Sequence, residues 1–230
     1  MNSYWKSYYD LSSQQFHDSL LKQVGKTVNG REIPELQLKL IVENVANVLQ
    51  LNAKDFIVDL CCGNGLITRQ LAPLVEKVDG VDFTQGLIDT AKRCNAFYNI
   101  EYVNSDVLSL DSGYFLGFKK IVMYEALQHF SEQQFGILLD KLKSLAAGSL
   151  VFFGSIPNRE KLSAYYDTEK KIAFYMQREN EGRPHIGRWW LMDEIERLVV
   201  TRGFKSTFLP QEPVLYTAYY RFGVLLEKCQ

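Results

Sequence analysis

Asp59, Gly63, Gly65 and Asp82 are the residues whose types and spacing suggest chemistry. Asp59 interrupts an apolar run, Phe56-Ile-Val-Asp-Leu60, that reads as a strand covered on both faces. A carboxylate near the end of such a strand is costly unless a ligand or the amides of the next turn pair with it. Gly63 and Gly65 let the backbone bend and come close to that ligand, and a helix beginning near Leu66 points its amino end at the same crevice. Asp82 ends a second short strand, Lys77-Val-Asp-Gly-Val81, 23 positions (82 − 59) beyond Asp59. That is close to the ~20 residues after which a strand-helix-strand unit places an acid on a ribose. The chemistry is then the holding of a nucleoside, with Phe83 placed to lie on its base. The plainer alternative makes Asp82 a cap for a helix from Thr84 to Asn95.

A dinucleotide cradle would need glycine at 61, 63 and 66, where the chain has Cys61, Gly63 and Leu66. The turn resembles more closely the first motif of class I S-adenosylmethionine-dependent methyltransferases, an acid followed by G-x-G-x-G, read here as Asp59, Cys61, Gly63 and Gly65 with Asn64 between the glycines. Cys61 departs from the motif, because cysteine avoids positive φ. The resemblance implies S-adenosylmethionine as cofactor, Asp82 on the ribose, and Asp106, with Val107 beside it, at the adenine amino group. Asp106 has a local alternative as a turn residue.

The elements that position these residues can be read in order. Residues 1–33 are the least regular part, an amino-terminal extension in which Tyr4, Trp5, Tyr8, Tyr9 and Phe16 either anchor the segment or form a lid; Gly25-Lys26-Thr27 and Asn29-Gly30-Arg31 signal turns. From Pro34 the steps between Leu38, Ile41, Val42, Val45 and Leu49 describe a helix. Strands follow at Ile100–Val103, Lys119–Met123 and Leu150–Phe153, with a helix introduced by the capping box Ser131/Gln134 and ended by Gly148. Five alternations of strand and helix predict a doubly wound parallel α/β sheet. Residues from about 157 to 190 are too long for a plain connection and form a substrate-side insertion with its own helix. Phe204–Leu209 and Tyr219–Glu227 complete a seven-stranded, mostly parallel, Rossmann-like sheet with an antiparallel last strand, as the resemblance implies for a methyltransferase domain over 34–230.

The composition is that of one globular α/β domain: 230 residues, 47% apolar, 23% charged, net charge −1. No chain-wide basic field exists to attract nucleic acid. The amino terminus lacks the apolar stretch of a signal peptide and no run suits a membrane span, so a cytoplasmic protein without membrane contact is expected. Cys61, Cys62, Cys94 and Cys229 form no metal-binding spacing with the three histidines, so no metal is expected and the thiols are read as reduced.

Tyr124-Glu-Ala-Leu-Gln-His-Phe130 is similar to the family's fourth motif, which leaves the sheet beside the reactive sulfonium. His129 is the leading candidate base, with an ordinary pKa of ~6.5 suited to proton removal near neutrality, and Tyr124 and Glu125 are further candidates. A packed histidine is the alternative. Tyr9, Arg183, His185, Arg188, Tyr216 and Tyr220 are candidate acceptor-binding residues, the arginines for a phosphate or carboxylate. The Cys-Cys-Gly-Asn-Gly turn, Gly25-Lys-Thr-Val-Asn-Gly30 and Tyr219-Tyr-Arg-Phe are similar to methyltransferases associated with bacterial surface-polysaccharide synthesis. The expected activity is methyl transfer to a small-molecule or sugar-precursor acceptor, phosphorylated or sugar-linked. The alternatives are an RNA or protein methyltransferase and a non-catalytic cofactor-binding protein of the same fold.

Overall fold

The computed structural model describes residues 3–230. Helices α1 (Ser3–Gln15) and α2 (Leu20–Gln23) come first, then a small hairpin of β1 (Thr27–Val28) and β2 (Arg31–Glu32), and α3 (Glu35–Val48). The extension is therefore largely helical, contrary to the irregular segment expected. Its apolar positions are few, and the burial of Trp5 against His129 and of Ser12 against the Gln23 carbonyl of α2 shows the inward face only in the folded chain. Asn29 and Gly30 both adopt positive φ, as a tight hairpin turn requires.

The main sheet comprises β3 (Phe56–Leu60), β4 (Lys77–Asp82), β5 (Ile100–Asn104), β6 (Lys120–Tyr124), β7 (Leu150–Pro157), β8 (Phe204–Pro210) and β9 (Arg221–Lys228). Their spatial order is β5-β4-β3-β6-β7-β9-β8, with β9 alone antiparallel to its neighbours. Connecting helices are α4 (Leu66–Leu71), α5 (Gln85–Cys94) and α6 (Glu132–Leu142), followed by α7 (Leu162–Tyr165), α8 (Glu169–Asn180) and α9 (Met192–Val200). This is the seven-stranded arrangement expected. The α6 capping box forms as read, but the helix ends at Leu142 and Gly148 lies in the following turn. Leu145 remains buried outside the helix, which is why its spacing extended the pattern.

Apolar side chains fill both faces of the sheet. Val58, Leu60, Ile121, Met123, Phe135, Phe153 and Trp190 meet on one side, and Ile41, Val45, Ile57, Leu71, Val78 and Val122 on the other. Every second residue of β3 and β6 thus belongs to a different core, which accounts for their unbroken apolar runs. Successive strands depart in opposite directions from β3, so a crevice opens where β3 and β6 end side by side.

Candidate active site

The turn after β3 is built from left-handed residues. Cys61, Gly63 and Gly65 have φ of 58°, 58° and 78°. Cys61 thus takes the conformation that glycine would adopt without steric cost, and its side chain packs against the core that contains Val58 and Leu60. Gly65 is the amino cap of α4, and a Cβ there would lie 2.3 Å from the Tyr102 hydroxyl. Its role is clearance beneath the turn. Asn64, which also lines the crevice, donates to the Leu20 carbonyl at 2.8 Å and to Gln23 at 2.9 Å, and so ties α2 to the turn.

Asp59 and Asp82 open into one cleft of about 670 Å³, lined also by Tyr9, Lys26, Cys61, Gly63, Phe83, Tyr124, Glu125 and His129. Gly63 N–H donates to Asp82 Oδ2 at 3.0 Å and Thr84 N–H to Oδ1 at 2.8 Å. Asp82 therefore braces the glycine turn as well as the start of α5, for which Thr84 is the amino cap. Thr68 donates to Asp59 Oδ2 at 2.6 Å. Burial pushes the Asp59 carboxyl up to about 7 and that of Asp82 to about 6, against the lowering influence of the Thr68 hydroxyl on one and the Thr84 and Gly63 amides on the other.

Glu125 follows β6 with φ 55°, a strained conformation for a glutamate. Burial opposes its charge, but Lys26 and Arg221 more than compensate and hold its carboxyl below the ordinary range. Lys26, only 5% exposed, forms an ion pair with Glu125, and the hydroxyls of Ser155 and Tyr216 donate to Glu125 Oε1 at 3.1 and 3.4 Å. Ser155, also at positive φ, sits in the bulge where β7 leaves its pairing with β9.

His129 is 8% exposed; its ring centroid lies 4.0 Å from that of Trp5 at a tilt of 50°, and Nε2 meets the Tyr9 hydroxyl at 3.1 Å. Burial lowers its pKa to about 3, so the near-neutral titration expected of it does not hold. Burial also raises the Tyr124 hydroxyl above the ordinary phenol range, and Gln211 donates to it at 3.3 Å, so Tyr124 stands here as a protonated, hydrogen-bonded phenol.

A second cavity of about 820 Å³ adjoins the cleft and shares Tyr9, Val24, Glu125 and His129 with it. Trp5, Tyr8, Tyr165, His185, Tyr216, Tyr220 and Arg221 are among the residues that complete its walls. Four of the expected acceptor residues, Tyr9, His185, Tyr216 and Tyr220, thus meet here. Two do not. Arg183 is exposed and lines neither space, and Arg188 is engaged by Glu132 and Glu194 at 3.4 and 3.3 Å and lies over Trp190. The backbone N–H of Arg188 donates to the Gln128 carbonyl at 2.7 Å, so it fastens the insertion to the segment after β6. Asp106 accepts from the Leu108 N–H at 2.9 Å and Val107 is buried in the core; neither lines the cleft. Lys26 and Arg221 were not identified from the sequence as site residues. Their only signals were a turn-like neighbourhood and the run Tyr219-Tyr-Arg-Phe, neither of which reports on burial.

The residues around the first cleft fit S-adenosylmethionine. Asp59, Asp82 and Glu125 face Lys26 alone among the described lysines and arginines of that wall, an excess of carboxylates suited to a ligand bearing positive charge. Asp82 would accept from ribose hydroxyls, and Phe83 would cover the base.

Comparison with known proteins agrees with this geometry. The family described as "Methyltransferase domain" matches residues 57–147. A stretch of 88 residues is 33% identical to "Probable ribosomal RNA small subunit methyltransferase A" of Methanococcus maripaludis, covering 38% of this chain. The chain matches about a third of that relative's length (33%). Among solved structures, an S-adenosylmethionine-dependent methyltransferase from Clostridium acetobutylicum superposes with TM-score 0.62 at 14% identity, over 86% of this chain and 93% of that one. A chain of the complex between the Haloferax volcanii Trm112 methyltransferase activator and a methyltransferase gives TM-score 0.68 at 12% identity, over 96% and 98%.

Proposed function

We propose that this chain, a class I S-adenosylmethionine-dependent methyltransferase, transfers a methyl group to a small-molecule acceptor by in-line displacement. One observation carries the reading: the cleft that holds Asp59 and Asp82 and the aromatic cavity share a wall of Tyr9, Glu125 and His129. The cofactor supplies a methyl group already activated by positive sulfur. What the chain must supply is alignment, an effect worth roughly 7–11 kcal/mol of barrier in well-oriented systems. Asp82 and Phe83 hold the nucleoside, and Asp59 balances positive charge in the cleft. Tyr9, held by His129, orients the acceptor's nucleophilic atom at the shared wall. With a pKa of about 3, His129 stays neutral and serves as a hydrogen-bond partner; the acceptor's proton leaves to water or is lost before transfer. Glu125, saturated by Lys26, Ser155 and Tyr216, fixes the strained bend that joins the two spaces. Helix α1 and the insertion at 157–190 close over the acceptor as a lid.

Calorimetric titration of S-adenosylmethionine and S-adenosylhomocysteine tests the assignment. Wild type should bind both, and Asp82→Ala should weaken binding at least tenfold. No binding by wild type, or equal binding by the variant, would defeat it. RNA methylation is a second reading, favoured by the stretch shared with ribosomal RNA methyltransferases. Radiolabelled methyl transfer to total RNA and to a small-metabolite extract separates the two.

A further inference from the structure

Arg221 begins β9 and carries five N–H donors. Nη1 donates to the Ser155 carbonyl at 2.6 Å and the guanidinium lies 5.1 Å from the Tyr220 ring centroid, but Nε–H is buried without an acceptor. Arg221 is half-buried on the cavity wall, and a desolvated cation with an unmet donor there is stabilised by an anion that reaches the guanidinium. Glu125 is the one carboxylate among the described residues on the cavity wall, and Lys26 already neutralises it. His129 adds no charge near neutrality, its pKa lowered to about 3 by burial, and partial burial with the Arg178 charge moves His185 below the ordinary histidine value. The cavity therefore keeps one surplus positive charge, surrounded by Trp5, Tyr165, Tyr216 and Tyr220. Such rings offer flat faces to a planar or sugar ring.

We infer that the methyl acceptor carries an anionic group, a carboxylate or phosphate, that seats on the Arg221 guanidinium while its ring lies against Tyr165 and Tyr220. The atom to be methylated then faces the wall formed by Tyr9, Glu125 and His129. This inference rests on the methyltransferase reading above, and it replaces Arg183 and Arg188 with a cation that the fold places inside the cavity.

The test uses full-length protein saturated with S-adenosylhomocysteine. Calorimetry compares phenyl phosphate and benzoate with phenol, and glucose 1-phosphate with glucose. In at least one set the anion should bind tenfold or more tightly than its neutral counterpart. Arg221→Lys should reduce that preference at least fivefold and Arg221→Met should remove it, with affinity for S-adenosylhomocysteine changed less than twofold. Equal binding of anions and neutral probes by wild type, no binding of any anion at millimolar concentration, or a preference that survives in Arg221→Lys overturns the inference. The wild-type and Arg221→Lys results decide the matter if Arg221→Met does not fold. Failure of wild type to bind S-adenosylhomocysteine removes the methyltransferase reading itself, whereas binding without anion preference removes this inference alone.

Discussion

Asp59 and Asp82 are kept in the cleft at a cost, because burial disfavours their charged forms. For Asp59, with a folded-state pKa of about 7 against an ordinary 3.8, the folded state holds its proton more tightly than the unfolded chain. Its contribution to stability is greatest below pH ~4 and is lost as pH rises to ~7. Asp59→Asn should therefore stabilise the cofactor-free protein at pH 8, by an amount of order 2–4 kcal/mol, while weakening cofactor affinity; thermal melts with and without S-adenosylhomocysteine check both. In wild type a positively charged ligand favours the ionised acids, so affinity for S-adenosylmethionine should rise between pH 5.5 and 7.5 with proton release, measurable by calorimetry in buffers of different ionisation enthalpy. The turn itself gives another prediction. Cys61→Gly removes a strained left-handed residue, and stability should change by no more than about 1 kcal/mol as relief offsets lost packing. Gly65→Ala meets the Tyr102 hydroxyl and adds strain at φ 78°, and should cost about 2 kcal/mol or more in denaturant titration. The acids and glycines were legible because strand ends and turns have local signatures. The state of His129 was not, since it depends first on burial, to which the distant Trp5 ring contributes, and then on the charge of Arg221, and neither is near it in sequence.

At the level of elements, two segments distant in sequence complete the site. Helix α1 brings Trp5 and Tyr9 onto His129, and the turn before β1 brings Lys26 to Glu125. Trp5→Ala should leave cofactor affinity within twofold, raise the acceptor KM, and speed amide hydrogen exchange in α1, because the ring is 95% buried against the shared wall (5% exposed) and belongs to an element that packs by few apolar groups. Unchanged exchange in α1 would show that Trp5 does not hold the helix. Glu125→Gln leaves Lys26 buried without its counter-charge and should cost about 3–5 kcal/mol, read from urea unfolding. The insertion was legible as an excess of chain between β7 and α9, but its fastening through Arg188, Gln128 and Trp190 was not. Arginine pairing with Glu132 and Glu194 removes from acceptor binding a residue that its type alone recommended.

For the molecule as a whole, the order β5-β4-β3-β6-β7-β9-β8 gathers the ends of β3, β4 and β6 around one crevice, and β9 returns Arg221 to its far wall. No helix among the described residues is long and apolar enough to cross a membrane. With net charge −1, the chain lacks a sequence-wide field for polyanions, and retention of mixed RNA at 0.15 M salt should be undetectable in a filter-binding assay. Strong, salt-sensitive retention would favour the RNA reading. Alternation of apolar runs and helical periods, the turn after Asp59 and the 23-residue step to Asp82 were enough to determine a doubly wound sheet with a crevice shared by the two acids, because each depends on neighbours along the chain. The segments around the second cavity, 1–33, 124–130, 157–190 and 210–221, were expected from their place in the chain, and the cavity lies among them; tertiary structure alone decided the strained bend at Glu125, the pairing of Lys26 with Glu125, the place of Arg221 and the weak basicity of His129, because burial and charge compensation have no local sequence pattern.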